Sequence, residues 1–318
     1  MRAVIVARDE AYRKAEEKIG EAVRSQATEL DLSAAWWESN EAGLSDLPES
    51  LGELTQLRAL FLHGNELTTL PGWLGQLTQL NTLTLARNRL ATVPEGLRRL
   101  TQLNILDLLD NQLTTLPEWL GELTELRYLN LEGNPLTELP ACVRNLPRLQ
   151  ELIIDGIPAA PEWLGDLVEL TRLWIRSSPL SRLPESLGEL TRLRELHLEF
   201  NQIERLPESI GRLELLETLD LRDNKLQSLP DSFRHLANLR ELWLGSRRKG
   251  NPLIAFPASL RFCTKLETLG LTGCQLPSIP DWIGLNPLEP ELTAAGRKGV
   301  DAVRRCLLAK TKDAADAG

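Results

Sequence analysis

Residues 70–90 read LPGWLGQLTQLNTLTLARNRL, and variants of this stretch fill most of the chain. Neighbouring repeats are 23 residues apart, except for one step of 21 residues after Pro140 and one of 27 after Pro230. A fixed period of this length is typical of a solenoid, in which each repeat stacks on its neighbours. We therefore expect function to reside on a surface. The repeated prolines are Pro48, Pro71, Pro94, Pro117, Pro140, Pro161, Pro184, Pro207, Pro230, Pro257 and Pro280.

Two leucine spacings predict the structure of one repeat. Leu83 and Leu85 flank a single residue, which is the alternation of a short strand. Leu74, Leu77 and Leu80 recur every three residues, which favours a 3₁₀ or short helical segment on the opposite side. Because no repeat can bury its own leucines, the repeats must stack. The predicted fold class is an α/β solenoid with a parallel concave sheet, short helical or 3₁₀ convex segments and helical caps at both ends.

An asparagine follows the first strand leucine by five residues in six repeats. Its amide can both donate to and accept from the backbone of adjacent turns, so we interpret the series as a structural ladder. A glycine four residues after the proline, such as Gly75, fits a tight bend. The ladder residues are Asn65, Asn88, Asn111, Asn134, Asn201 and Asn224.

The ends of the chain have a different pattern from the repeats. Ala11, Ala15, Ile19, Ala22 and Val23 form the apolar stripe of an amphipathic helix over residues 9–27. We predict an N-terminal cap at 1–29, about eleven repeats at 30–285, irregular near 155–161 and 245–251, a C-terminal capping helix at 286–310 and a disordered tail at 311–318. A capped array of this kind is expected to be a monomer.

Composition and motifs exclude several function classes. The chain has 318 residues, is 42% apolar and carries a net charge of −9, without a basic stripe for nucleic acid or an apolar run for a membrane. Its four cysteines are single and lack zinc or disulfide spacing, which favours the cytoplasm. Phosphate-loop and zinc-protease motifs are absent from the sequence. We expect no enzyme activity, no cofactor and no metal.

The residues between the two strand leucines predict the partner-binding surface. Two tryptophans, Trp174 and Trp243, fall in this column, framed by charges of both signs. Such mixtures are typical of binding hot spots, although the same side chains could instead pack sideways and stabilise the sheet. Tryptophans two residues after a proline, such as Trp73, favour convex packing, or else a second interface. The predicted partner-binding residues are Trp174, His197, Phe200, Trp243, Arg172, Arg176, Tyr128, Glu195, Glu199 and Arg222.

The motif of residues 70–90 also carries a family resemblance. It resembles the intracellular, Ras-group type of leucine-rich repeat found in bacteria, in plant Ras-group repeat proteins and in Roco proteins. This resemblance covers roughly residues 9–309 and implies a horseshoe fold and a protein-binding scaffold in signalling. The segments at 22–33 and 286–308 are similar to those flanking the repeats in bacterial Roco proteins.

Three functions therefore compete. The first is a non-catalytic cytoplasmic scaffold that binds a protein or peptide on the concave face. The second is the substrate-recognition part of a bacterial effector or ligase delivered to a host cell, with Cys306 as its only conceivable nucleophile. The third, implied by the resemblance alone, is a regulatory module of a small-GTPase system.

Overall fold

The computed structural model describes residues 2–34, 43–246, 250–274 and 276. The chain divides into two compact units, Met1–Gly156 and Ile157–Gly318. Each unit is built from the same repeat, namely a short strand, a turn and a 3₁₀ segment that returns the chain to the next strand. The two five-residue strands lie on either side of the division between the units, where the repeat spacing shortens to 21 residues.

The strands run parallel and follow chain order in each unit. Equivalent residues pair, so that Leu83 lies opposite Leu60 on one side and Leu106 on the other. The first unit contains β1 Glu29–Asp31, β2 Ala59–Phe61, β3 Thr82–Thr84, β4 Ile105–Asp107, β5 Tyr128–Asn130 and β6 Glu151–Asp155. The second contains β7 Arg172–Arg176, β8 Glu195–His197, β9 Thr218–Asp220, β10 Glu241–Trp243 and β11 Thr268–Gly270.

A 3₁₀ segment begins directly after each described repeat proline. The proline fixes its own φ, and its carbonyl accepts the first hydrogen bond of the turn, as from Leu74 N to Pro71 O at 3.1 Å. Because a 3₁₀ helix has three residues per turn, every third residue faces inward, as Leu74 and Leu77 do. The segments are Glu49–Glu53, Gly72–Gln76, Glu95–Arg99, Glu118–Glu122, Ala141–Asn145, Glu162–Asp166, Glu185–Glu189, Glu208–Arg212, Asp231–His235 and Ala258–Phe262.

Leucines from strands and 3₁₀ segments form the core. Leu74, Leu77, Leu80, Leu83 and Leu85 are all fully buried. Full burial of a leucine contributes about 2 kcal/mol before the cost of ordering, so the repeated pattern supplies the main driving force for folding. The predicted parallel sheet, 3₁₀ segments and N-terminal helix are confirmed.

The glycines four residues after the proline have a different role from the one predicted. A Cβ on Gly188 would lie 2.6 Å from both the Cβ and the carbonyl oxygen of Ser209 in the next repeat. None of these glycines has a positive φ among the described residues. At five of them an added Cβ would lie 2.8 Å or less from the next 3₁₀ segment, so glycine is needed there because successive segments approach closely; at Gly52 the nearest atom would be 3.5 Å away. The five are Gly75, Gly121, Gly165, Gly188 and Gly211.

The ladder asparagines bond to the backbone of adjacent turns, as the sequence predicts. Asn224 Nδ2 donates to the carbonyls of Leu198 and Leu221 at 2.8 and 3.2 Å, and its Oδ1 accepts from Ile203 N at 2.9 Å. Asn251 occupies the next place in the ladder, which the sequence analysis overlooked because four extra residues precede it.

Ile157 and Ser178 interrupt the ladder near the division between the units. Ile157 is fully buried and offers no amide, whereas the Ser178 hydroxyl bonds only within its own turn, to Arg176 O at 3.1 Å. In the following repeat, Asn201 Oδ1 is buried without a hydrogen-bond partner. The irregular spacing read from the sequence therefore coincides with a local loss of ladder hydrogen bonds.

Helix α1, Arg2–Ser25, precedes the first strand. Ala15, Ile19 and Ala22 are buried, and the helix contacts β1 and the first 3₁₀ segment. Val23 is 40% exposed, so its assignment to the apolar stripe was wrong; it lies one residue past Ala22 and points away from the first repeat. Ser50 Oγ donates to Glu16 Oε2 at 2.7 Å and ties the helix to the repeats.

Several predictions fall outside the described residues. They concern the C-terminal cap at 286–310, the tail at 311–318 and Cys306. Residues 247–249, which read RRK, and Trp36, Trp37 and Trp282 also lie outside the described part of the chain. Within the described part of the chain, no helix has both the length and the apolar character needed to cross a bilayer.

Candidate functional site

Four side chains occupy equivalent positions on adjacent strands of the second unit. The β-ladder aligns Trp174 with His197, His197 with Asp220, and Asp220 with Trp243. With strands about 4.8 Å apart, the two tryptophans are separated by roughly 14 Å. We call these four residues the tryptophan row. Because the flanking leucines point into the core, the alternation of the strand puts the row on the opposite face.

Trp174 is half-buried and contacts a side chain on each side. Its ring stacks on the His197 imidazole with centroids 5.0 Å apart and an interplanar angle of 7°. The Arg172 guanidinium lies 5.7 Å from the Trp174 centroid, and Arg172 Nε donates to Glu195 Oε1 at 3.1 Å across the strands. The sideways packing that the sequence left open is therefore seen at Trp174, while part of its ring stays exposed.

Trp243 lies over a glycine of the last described strand. A Cβ on Gly270 would be 2.4 Å from Trp243 Cε3, so only glycine leaves room for the ring there. The Arg222 guanidinium lies 5.7 Å from the Trp243 centroid. Trp243 Nε1 also donates to Glu241 Oε2 at 3.4 Å. Both tryptophans are thus held by a guanidinium, which keeps these large rings in place on the strand face.

Between the tryptophans lie a half-buried histidine and two buried acids, which we call the carboxylate cluster: His197, Glu199 and Asp220. Glu199 is 4% exposed and Asp220 is 2% exposed. One donor atom from each of the three residues lies within 4.8 Å of the others. Burial, and then the negative charge of Asp220, raise the pKa of Glu199. This cluster places strong negative charge in the middle of the tryptophan row.

Two arginines neutralise part of this charge. Arg222 Nε donates to both carboxylate oxygens of Asp220, at 2.9 and 2.8 Å, and Arg222 Nη2 bonds the same carboxylate. These hydrogen bonds raise the pKa of Arg222 and hold its guanidinium beside Trp243. Arg176 Nη1 lies 3.6 Å from Glu199 Oε1. Glu199 Oε2 nevertheless has no hydrogen-bond partner.

The structure places all the predicted site residues except Tyr128 in the second unit. Tyr128 lies on β5 in the first unit, where burial and the charge of Asp107 raise its pKa to about 12. Glu199 faces the strand side as predicted but is buried, so it cannot form an exposed contact as the sequence suggested. Phe200 is 45% exposed in the turn after β8, with a φ of 60°.

The sequence analysis missed the roles of Asp220 and Gly270. Both were in the predicted strand column, but neither was chosen as a site residue. The signal for Gly270 was a glycine one repeat after a tryptophan at the same strand position. Asp220 resembles Asp107, which occupies the same position in β4, and nothing in the sequence alone separates the two.

Tryptophans of the 3₁₀ side differ from those of the row. Trp119 is 7% exposed, and Trp73 packs over Gly52 of the preceding repeat, where an added Cβ would lie 3.5 Å from its ring. This arrangement supports the packing role predicted for them. Trp73 is half-buried, as Trp174 and Trp243 are, and is therefore a suitable comparison for the rings of the row.

Solved structures related to this chain share its repeat architecture. A leucine-rich repeat protein of Leptospira interrogans is 32% identical, with a TM-score of 0.76, over 83% of this chain and 66% of that one. The Arabidopsis receptor kinase HAESA, in complex with the peptide hormone IDA and the co-receptor SERK1, is 30% identical, with a TM-score of 0.67, over 80% of this chain and 43% of that one.

The plant receptor RGFR1, in complex with the peptide hormone RGF2, is 28% identical with a TM-score of 0.61. That similarity covers 74% of this chain and 39% of the receptor, so this chain spans less than half of either plant protein. No curated protein sequence matches the chain. A family model described as a leucine-rich repeat region matches residues 37–130, 96–204 and 185–284. Together these matches span most of the sequence, and the chain therefore belongs to the leucine-rich repeat family.

Proposed function

We propose that this protein is a non-catalytic scaffold that binds a protein or peptide on the strand face of its second unit. The observation that carries the proposal is the tryptophan row, in which two partly exposed tryptophans are fixed by stacking and by guanidinium contacts. Rigid aromatic rings lose little entropy on binding and are the commonest hot-spot residues of interfaces.

The charges around the row support a polar rim. Arg172 and Glu195 form an ion pair at the edge of Trp174, and Glu241 is exposed beside Trp243. Phe200, in the turn after β8, adds an exposed aromatic side chain to the second unit. An aromatic centre with charges at its edge matches the usual division of an interface into an apolar core and a polar rim.

The comparisons support binding of a peptide or protein as a class. Two related plant receptors are seen in complex with peptide hormones. We extend only the class of ligand to this chain, because the identity to those receptors is 28% and 30%.

We also propose that the protein is a monomer in the cytoplasm. Its repeats would then be of the intracellular, 23-residue type that resembles those of Ras-group and Roco proteins. Cys142 and Cys263 are buried free thiols, and Cys274 is a partly buried one, which agrees with a reducing compartment. The 23-residue period, with a 3₁₀ segment following each proline, is the feature that supports this repeat type.

The test is capture of partners from a lysate of the source organism by the wild type, the Trp174→Ala/Trp243→Ala double variant and Trp73→Ala. Proteins identified by mass spectrometry with the wild type and Trp73→Ala, but lost from the double variant, are then purified. We expect the double variant to bind such a protein at least tenfold more weakly, about 1.4 kcal/mol or more.

The control for folding is urea unfolding of all three proteins. Equal affinity of the wild type and the double variant for every captured protein would contradict the site. Loss of binding in Trp73→Ala instead would transfer the site to the 3₁₀ side.

A further inference from the structure

We propose that His197, Glu199 and Asp220 form a binding site for a divalent ion of the zinc class, namely Zn²⁺, Co²⁺ or Ni²⁺. The proposal concerns the carboxylate cluster only and does not depend on the partner proposed above. Its donors come from two adjacent strands: His197 ends β8, Glu199 follows two residues later, and Asp220 ends β9 opposite His197. One imidazole and two carboxylates are a donor set that zinc-class ions accept.

The geometry of the donors brings them close to a coordination sphere. One ligand atom from each residue lies within 4.8 Å of the other two, and His197 Nδ1 is 3.9 Å from Glu199 Oε2. With bonds of about 2.0–2.1 Å, the donors of a tetrahedral zinc site lie roughly 3.3 Å apart. Closing this gap takes a movement of up to roughly 0.8 Å by each side chain.

Glu199 supplies an independent reason for a ligand. Its side chain is 5% exposed, and its Oε2 atom is buried without a hydrogen-bond partner. A buried carboxylate oxygen without a partner costs free energy, and nearly all such atoms in folded proteins are satisfied. Since Oε2 is directed toward His197 Nδ1, a cation placed between these two atoms would satisfy both.

The surroundings of His197 prepare its Nδ1 atom for coordination. The ring is fixed by stacking on Trp174, and its Nε2 lies 3.9 Å from Glu195 Oε2. Each ring nitrogen of His197 thus faces a carboxylate, and an ion bound at Nδ1 leaves the ring proton on Nε2, on the side of Glu195. Metal-ligating histidines usually have such a carboxylate beside the nitrogen that does not bind the metal.

Two arginines compete with an ion for the carboxylates. Asp220 accepts from Arg222 N and from the Arg222 guanidinium on both oxygens, so an ion binds Asp220 only when one of these hydrogen bonds opens. Arg176 lies beside Oε1 of Glu199, while Oε2 of Glu199 accepts no hydrogen bond. The nearby positive charges repel a dication. We therefore expect a dissociation constant on the order of micromolar, weaker than that of structural zinc sites.

The experiment is titration of the full chain, freed of metal with EDTA and then dialysed, with Zn²⁺ by calorimetry and with Co²⁺ by visible absorption. We expect one ion per chain, with Co²⁺ bands typical of a nitrogen and oxygen site. Glu199→Gln and His197→Ala should each weaken Zn²⁺ binding at least tenfold. Matched controls are Glu204→Gln and His235→Ala, which alter an exposed carboxylate and an exposed imidazole outside the cluster and should bind Zn²⁺ as the wild type does.

Absence of binding to the wild type would overturn the proposal, as would undiminished binding by both cluster variants. Loss of binding in His235→Ala would place any zinc on the 3₁₀ side instead. Far-UV circular dichroism and urea midpoints in EDTA show whether each variant folds; Asp220→Asn replaces any cluster variant that does not. Excess Mg²⁺ should not displace Zn²⁺, because Mg²⁺ binds oxygen donors and disfavours imidazole. Repeating the partner capture in EDTA separates this site from the proposed partner surface.

Discussion

At the residue scale, the position of Trp243 depends on the absence of a side chain at Gly270. Gly270 carries no side chain, and the indole occupies the space that a Cβ would fill. Arg222 covers the ring, and Asp220 fixes Arg222 through two Nε hydrogen bonds. Three neighbours, Gly270 on β11, Asp220 on β9 and Arg222 just after β9, therefore determine how one aromatic ring is presented.

We predict that Gly270→Ala destabilises the protein by about 1–3 kcal/mol, the usual cost of overpacking. The new methyl group would lie 2.4 Å from Trp243 Cε3, so the ring must move. Urea unfolding measures the loss, and near-UV circular dichroism reports the change in the tryptophan environment. Gly72→Ala is the control, since a Cβ there would have no atom within 4 Å. An unchanged near-UV spectrum in Gly270→Ala would contradict the packing described.

At the element scale, the ladder asparagines connect each repeat to the one before it. Asn224 donates to Leu198 O and accepts from Ile203 N, both in the preceding repeat. Asn201 donates in the same way, to Ile175 O at 2.7 Å, but its Oδ1 accepts no hydrogen bond. The same residue type thus contributes unequally at two places in one array.

We predict that Asn224→Ala costs more stability than Asn201→Ala, by about 1 kcal/mol. Both substitutions leave buried carbonyls without their amide donor, but only Asn224→Ala also leaves a buried N–H, that of Ile203, without an acceptor. Urea unfolding of the two variants and the wild type measures the difference. Equal losses would show that the Asn201 amide oxygen is satisfied in solution, for example by a water molecule.

The repeat was predictable from the sequence because leucine spacing and proline period report directly on burial. The two strand leucines of a repeat, such as Leu83 and Leu85, face inward, and a 3₁₀ segment begins directly after each described repeat proline. The site was less predictable. Glu199 was expected on an exposed face. It is instead surrounded by Arg176, His197 and Asp220. These residues belong to neighbouring repeats, so the sequence of one repeat does not predict the burial.

At the scale of the whole molecule, the three described cysteine thiols allow the unfolding of each unit to be followed separately. Cys142 lies in the first unit, whereas Cys263 and Cys274 lie in the second. Burial raises the pKa of each of these thiols to about 11. Because the thiolate is the reactive form, all three should resist alkylation in the native protein near pH 8.

We predict that maleimide labelling near pH 8 is more than tenfold slower at these three thiols in the native protein than in urea. On raising the urea concentration, Cys263 should react before Cys142, because the first unit has an unbroken ladder from Asn65 to Asn134, while in the second the amide oxygen of Asn201 accepts no hydrogen bond. Peptide mass spectrometry assigns the label to each cysteine. Earlier reaction of Cys142 would contradict this order of stability.

The pairing of Gly245 with Gly250 has a practical consequence. The antiparallel bridge between them closes the longest repeat, and Asn251 directly after it still makes the regular ladder hydrogen bonds. The four extra residues of this repeat therefore do not prevent its asparagine from bonding to the preceding repeat. A short epitope or a fluorophore attachment sequence added after Ser246 would lengthen the repeat that already has four extra residues, and would give an experimental handle three residues beyond Trp243, the last residue of the tryptophan row.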